Sequence, residues 1–112
     1  MSLTERRIIK VYIAGPMRGY ENNNHEEFDK AEKFLRSKRV WDPVSPARID
    51  REAGVDPSND MTKIELKEAL KRDVDLVFGC DCLYMLRGWE HSEGARMEHT
   101  LATALNMNIY YQ

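Results

Sequence analysis

The run Ile8-Ile9-Lys10-Val11-Tyr12-Ile13-Ala14 constrains the fold more than any other stretch. It is apolar and rich in β-branched side chains, and it stops at Gly15-Pro16. That composition reads as a buried strand ended by a turn. Residues 17–24 are too rich in Gly and Asn for regular structure. Phe28, Ala31, Phe34 and Leu35 then recur at helical spacing, predicting a helix near 25–37 opened by an Asn24 cap.

Strands and helices continue to alternate. Val40 to Val44 reads as a short strand closed by Pro43 and Pro46, and residues 47–60 as irregular. Thr62 and Glu65 form a capping box before a helix to about Phe78, with a stripe of Leu66, Leu70, Val74 and Val77. Cys80 to Leu86 reads as a strand, Ser92 to Asn106 as a helix carrying Leu101, Ala102 and Leu105, and Ile109 to Tyr111 as a closing strand. Strands joined through helices need crossover connections and a sheet covered on both faces. The expected fold is α/β: one three-layer domain over residues 1–112, flavodoxin/Rossmann-like, with four or five mainly parallel strands. Ligands of such sheets bind beyond the carboxyl ends of the strands. Those ends lead here into residues 15–24, 45–60 and 87–93.

At 112 residues the chain has room for one domain and one core. Its 42% apolar content separates it from disordered chains. Seventeen basic against nineteen acidic side chains give a net charge of −2, which argues against binding a nucleic-acid polymer. No apolar run approaches the roughly 20 residues of a membrane helix, so no membrane partner is expected. The opening MSLTERRIIK lacks the apolar region of a signal peptide, which leaves the cytoplasm as the expected location. Cys80 and Cys82 stand at i, i+2, which suits neither zinc nor a bridge, and no basic side chain adjoins them in sequence. Both read as strand packing. His25, His91 and His99 show no metal spacing and read as solvated surface. No metal or organic cofactor is expected.

Two acids fall where apolar residues belong. Glu98 shares a helix face with Leu101, Ala102 and Leu105, and Asp73 shares one with Leu66, Leu70 and Val77. An unpaired buried carboxylate costs several kcal/mol, so each needs a partner or a purpose. The simplest reading places each at a stripe edge, in water, or paired with Arg18, Arg72 or Arg96. A chemical reading uses both. Substitution at an anomeric carbon passes through an oxocarbenium-like state that one carboxylate attacks, while a second protonates the leaving group or fixes the sugar hydroxyls. The N-terminal dipole of its helix should keep Glu98 ionised, and apolar neighbours should raise the pKa of Asp73.

The loops around them carry polar groups. In Tyr12-Ile13-Ala14-Gly15-Pro16-Met17-Arg18-Gly19, the glycines let backbone N–H groups approach an anion and Arg18 adds charge, although an ordinary loop fits as well. Ser92 is a good N-cap, and the same position offers a hydroxyl and free N–H groups to a phosphate. Trp89 can stack on a base or form an apolar rim or subunit contact.

Taken together, YIAGPMRGY at 12–20, RDVDLVFGCD at 72–81 and GWEHSEGARMEH at 88–99 resemble the nucleoside 2-deoxyribosyltransferase-like superfamily, closest to its short phage and bacterial branch. The resemblance covers most of the chain, in order. It implies that Glu98 is the nucleophile, that Asp73 assists base departure and sugar positioning, and that Tyr12 orients Glu98. Gly15, Met17, Arg18, Gly19, Ser92, Gly94 and Trp89 then form the binding set, with Ser92 where hydrolases contact a 5'-phosphate and transferases carry an acid. Glu90 and Glu93 flank Ser92 and partly offset that anion-friendly reading.

The implied activity is N-glycosidic cleavage of 2'-deoxynucleoside 5'-monophosphates, with a small-molecule nucleotide or nucleoside as the partner. The implied setting is a homodimer or larger homo-oligomer in the cytoplasm, the host's if the chain is phage-encoded. The alternatives are a deoxyribosyltransferase exchanging bases, a non-catalytic nucleotide-binding module, and an interaction protein whose acids are merely solvated.

Overall fold

Alternate side chains of one strand point to opposite faces, and that parity organises this molecule. The computed structural model describes residues 8–112, so most of the MSLTERRIIK opening lies outside the described residues. The first strand, β1, is Ile9–Ala14. It is followed by helix α1 (His25–Arg36), strand β2 (Trp41–Val44), helices α2 (Pro46–Glu52) and α3 (Lys63–Phe78), strand β3 (Cys82–Met85), helix α4 (Glu93–Ala104) and strand β4 (Asn108–Tyr111). Single 3-10 turns lie at Glu21–Asn24 and Trp89–His91.

Among the described residues the sheet has four strands in the order β2-β1-β3-β4, all parallel. Val11 and Ile13 of β1 pack with Phe28, Ala31 and Leu35 of α1 and Ala47 of α2. Tyr12 and Ala14 face the other way, with Leu83 and Met85, onto Val77 of α3 and Ala95 and Ala102 of α4. These are the three layers that the alternation of strands and helices predicts. The chain leaves β1 toward β2 and leaves β3 toward β4, so the strand order reverses between the two central strands. In sheets of this kind that reversal opens the crevice beyond the carboxyl ends. Gly15 sits at this point for a steric reason: a Cβ there would come within 2.7 Å of the Leu86 Cβ.

Several expectations needed correction. Residues 46–52 are helical rather than irregular, because Ser45 caps the Arg48 N–H and Pro46 occupies the first helical position. Asn24 does precede α1, but at φ 62° it makes no capping bond, and its amide donates to the Pro16 carbonyl at 2.9 Å. Pro43 lies inside β2, which an edge strand tolerates because one side of its backbone needs no partner. On α3 the stripe is shallower than its periodicity predicts: Val77 and Asp73 are buried, whereas Leu66, Leu70 and Val74 are half-buried. Leu105 follows the end of α4 and is 41% exposed rather than packed. The capping box at Thr62 and Glu65 is present in both of its bonds. No helix among the described residues is long and apolar enough to cross a membrane.

Candidate active site

Three side chains from distant parts of the sequence meet on the α3/α4 side of the sheet. Tyr12, fully buried in the middle of β1, donates its hydroxyl to Oε2 of Glu98, 86 residues away. Glu98 reaches that depth because Ala95 and Ala102 share its helix face. Small side chains above and below let α4 approach the sheet closely, and the carboxyl then enters the interior. Asp73 enters from α3 one turn before Val77, and the two acids are 8% (Asp73) and 6% (Glu98) exposed.

The acids differ in what holds them. Asp73 Oδ1 accepts from Arg72 Nε at 3.0 Å and Nη2 at 2.6 Å. Arg72 Nη1 also donates to Oδ1 of Asp50, at 2.7 Å. The pairing reading therefore holds for Asp73, through Arg72. It does not hold for Glu98, whose partner is the Tyr12 phenol rather than an arginine.

Electrostatics follow from this difference. Burial pushes the Asp73 carboxyl up to about 6, against the pull of Arg72. Burial pushes Glu98 up to about 8; the Tyr12 hydrogen bond opposes the rise and the Asp73 charge adds to it. Tyr12 is raised well above its ordinary value, first by burial and then by the charges of Glu98 and Asp73. The expected rise at Asp73 is present. The expected ionisation of Glu98 by the helix dipole is overturned. A dipole supplies about 0.3–1 kcal/mol and fades within the first turn. A rise from 4.5 to about 8, at about 1.4 kcal/mol per pH unit, is several times larger.

The remaining candidate residues lie in the segments that follow β1 and β3. Gly15 is fixed by Leu86, Met17 packs against the α1-side core, and Arg18 and Gly19 are exposed, Gly19 at φ 85°. Ser92 caps α4 by accepting from the Ala95 N–H at 3.2 Å, which by itself accounts for a serine there. Gly94 lies in ordinary contact with Leu70, 3.6 Å from the place of its missing Cβ. Trp89 stacks on His99, with centroids 4.3 Å apart and planes 16° apart, so the imidazole takes one face of the indole. His99 is half-buried, not solvated, and its Nε2 lies 2.9 Å from the Tyr111 hydroxyl of the same chain.

His25 is also buried, with Nδ1 3.0 Å from Arg51 Nη1 and, among the described residues, no partner for Nε2. Only His91 is exposed as expected. Both cysteines are free, and burial pushes Cys80 to about 11 and Cys82 to about 12, so neither is a thiolate at neutral pH. Among the described residues no three His, Cys, Asp or Glu side chains gather as metal ligands.

Cavities open at α1 and along α3. One of about 750 Å³ lies at the start of α1, bounded by Tyr20, His25, Lys33, Arg51 and Pro57. A second, of about 420 Å³, runs along α3 beside Arg72. Tyr12 and Glu98 line neither of them.

Asp50 is the component that sequence reading missed. The signal was present in Ser45-Pro46, a cap and first helical residue, which places Ala47 and Asp50 on one face of a short helix.

Comparison with known proteins gives two results. No curated protein matches the chain. A family model described as a domain of unknown function, DUF4406, matches residues 9–111, from the first strand to the last. The chain belongs to the DUF4406 family.

Proposed function

We propose that this protein hydrolyses the N-glycosidic bond of 2'-deoxynucleoside 5'-monophosphates, with Glu98 as nucleophile. One observation carries the reading: a buried carboxyl whose partner is a phenol, with a second buried acid electrostatically coupled to both. In its ionised form Glu98 attacks C1'. The C1'–N bond breaks, its electron pair stays with the base, and an ester forms between Glu98 and the sugar. Water then adds at C1' and gives up a proton to solvent as the C1'–O bond of the ester breaks, which regenerates the carboxylate. Tyr12 holds the attacking oxygen in line.

Arg72 gives Asp73 its part. Two hydrogen bonds from the guanidinium pull the Asp73 carboxyl toward ionisation, so it carries its charge when Glu98 does. Asp73 therefore fixes a sugar hydroxyl and stabilises developing positive charge, and the departing base takes its proton from water. Ser92, at the N-terminus of α4, favours a 5'-phosphate over a free 5'-hydroxyl, since a carboxylate there would repel the phosphate. Arg18 adds a cation on the neighbouring loop.

The test is incubation with a panel of nucleosides and 5'-monophosphates, with free base measured by chromatography. The expected result is base release from deoxynucleoside 5'-monophosphates, at a rate that climbs through pH 8 to a plateau. A bell centred near 7 would instead make Asp73 a proton donor. Unchanged release by Glu98→Ala would overturn the assignment. Transfer to a second base in place of water would identify a deoxyribosyltransferase.

The enclosed state of Glu98 favours a second reading, a nucleotide-binding module without turnover. Calorimetric binding of a nucleotide with no base released on long incubation would establish it.

A further inference from the structure

Helix α2 brings one more acid to the centre. Asp50 is 5% exposed, and its Oδ1 takes Arg72 Nη1 at 2.7 Å while Nε and Nη2 of the same guanidinium hold Asp73. A guanidinium presents its N–H groups in one rigid plane. Seating one edge on Asp50 therefore sets the direction from which the other edge meets Asp73. Without that anchor, a long side chain one residue from Asp73 is free to extend into solvent. Arg72 is instead drawn in, with only 29% of its side chain exposed.

We propose that Asp50 and Arg72 are positioning residues for Asp73: Asp50 anchors the guanidinium, and the guanidinium holds the Asp73 carboxylate in one orientation beside the Tyr12–Glu98 pair. The proposal rests on the reading of Tyr12, Asp73 and Glu98 as a reaction centre. Four charged or titratable groups act on or with Asp73: Arg72 of its own helix, Asp50 of α2, Tyr12 of β1 and Glu98 of α4. Arg72 draws the Asp73 pKa down and the Asp50 charge pushes it up.

Two substitutions should therefore move Asp73 in opposite directions. Arg72→Gln removes the cation and raises the titration midpoint. Asp50→Asn keeps an acceptor for Nη1 but removes an anion, and lowers it. General loosening of the structure would hydrate Asp73 and move both variants downward together.

The experiment is a carbon-13 NMR titration of the Asp73 carboxyl in the full chain, in wild type and both variants, alongside the pH profile of base release. The expected result is a rise of about one pH unit or more in Arg72→Gln and a smaller fall in Asp50→Asn, while the profile's acid limb, set by Glu98, stays near 8. Arg72→Lys should return the midpoint toward wild type without restoring the rate, because an ammonium cannot bridge two carboxylates as a fork does. Wild-type midpoints in both variants, or shifts of the same sign, would overturn the proposal. If Arg72→Gln does not fold, Asp50→Ala decides, because it removes the acceptor as well as the anion: a raised midpoint, with Arg72 released from Asp73, supports the anchor, and a lowered one leaves Asp50 as a charge only. Opposite shifts in a protein that cleaves no nucleotide would dismiss the hydrolase and keep the clamp. Base release at wild-type rate and titration in both variants would do the reverse.

Discussion

Glu32 and Glu98 are each 6% exposed, on opposite faces of the same sheet, and the molecule treats them differently. On the α1 side, Glu32 takes Arg36 of its own helix at 2.9 Å and is met by Arg48 of α2 as well. On the α3/α4 side, Glu98 receives a phenolic hydrogen bond, and the acid electrostatically coupled to it, Asp73, already shares its arginine with Asp50. Burial of a carboxyl is thus a poor sign of function by itself. What separates the two is counter-charge. A paired acid is a structural element, whereas a buried acid without a cation stays costly to ionise, and a substrate that develops positive charge would supply what is missing.

The largest expected effect exploits that contrast directly. Glu98→Ala should reduce base release by roughly a thousandfold or more, whereas Glu32→Gln should leave the rate within a few-fold and cost about 1–3 kcal/mol of stability. Equal losses of activity in the two variants would erase the distinction; steady-state rates and urea denaturation of both measure it. Tyr12→Phe comes next, with a loss of roughly 10–100-fold. Because the hydroxyl opposes the rise at Glu98, the pH profile of that variant should also move upward.

Stability against pH sharpens the comparison further. The folded Glu98 keeps its proton between its ordinary 4.5 and about 8, while the unfolded chain loses it. Wild-type stability should therefore fall as pH rises through that window. Glu98→Gln should keep only the smaller fall that Asp73 contributes between 3.8 and about 6, and exceed wild type above pH 8, by on the order of a few kcal/mol. Denaturation curves at pH 5, 7 and 9 decide this. The smallest effect belongs to Ser92→Ala, which should cost about 1 kcal/mol through the lost cap. It should also weaken binding of 5'-monophosphates relative to nucleosides; equal loss for both would leave Ser92 as a cap only.

Much of the architecture is legible in the sequence, because periodic signals are local. The Ile9–Ala14 strand, the capping box at Thr62, and the two acids on apolar stripes all follow from local spacing. What was not legible depends on partners. Periodicity could name Arg72 among three arginines for Asp73, but could not choose it. Helix α2 was missed because seven residues offer less than two turns of pattern, and the Pro, Gly and Asn around them speak for a loop. Asp50 was lost with it. The error over the charge of Glu98 had a different source: a helix dipole can be read from sequence, whereas depth of burial cannot, and depth was the larger force.

A carbon-13 NMR titration of the Glu98 carboxyl tests the central claim most directly. The account predicts a midpoint near 8, moving upward in Tyr12→Phe. A midpoint near 4.5, the ordinary value for a hydrated glutamate, would show that water or a cation already serves this carboxyl, and would contradict the account.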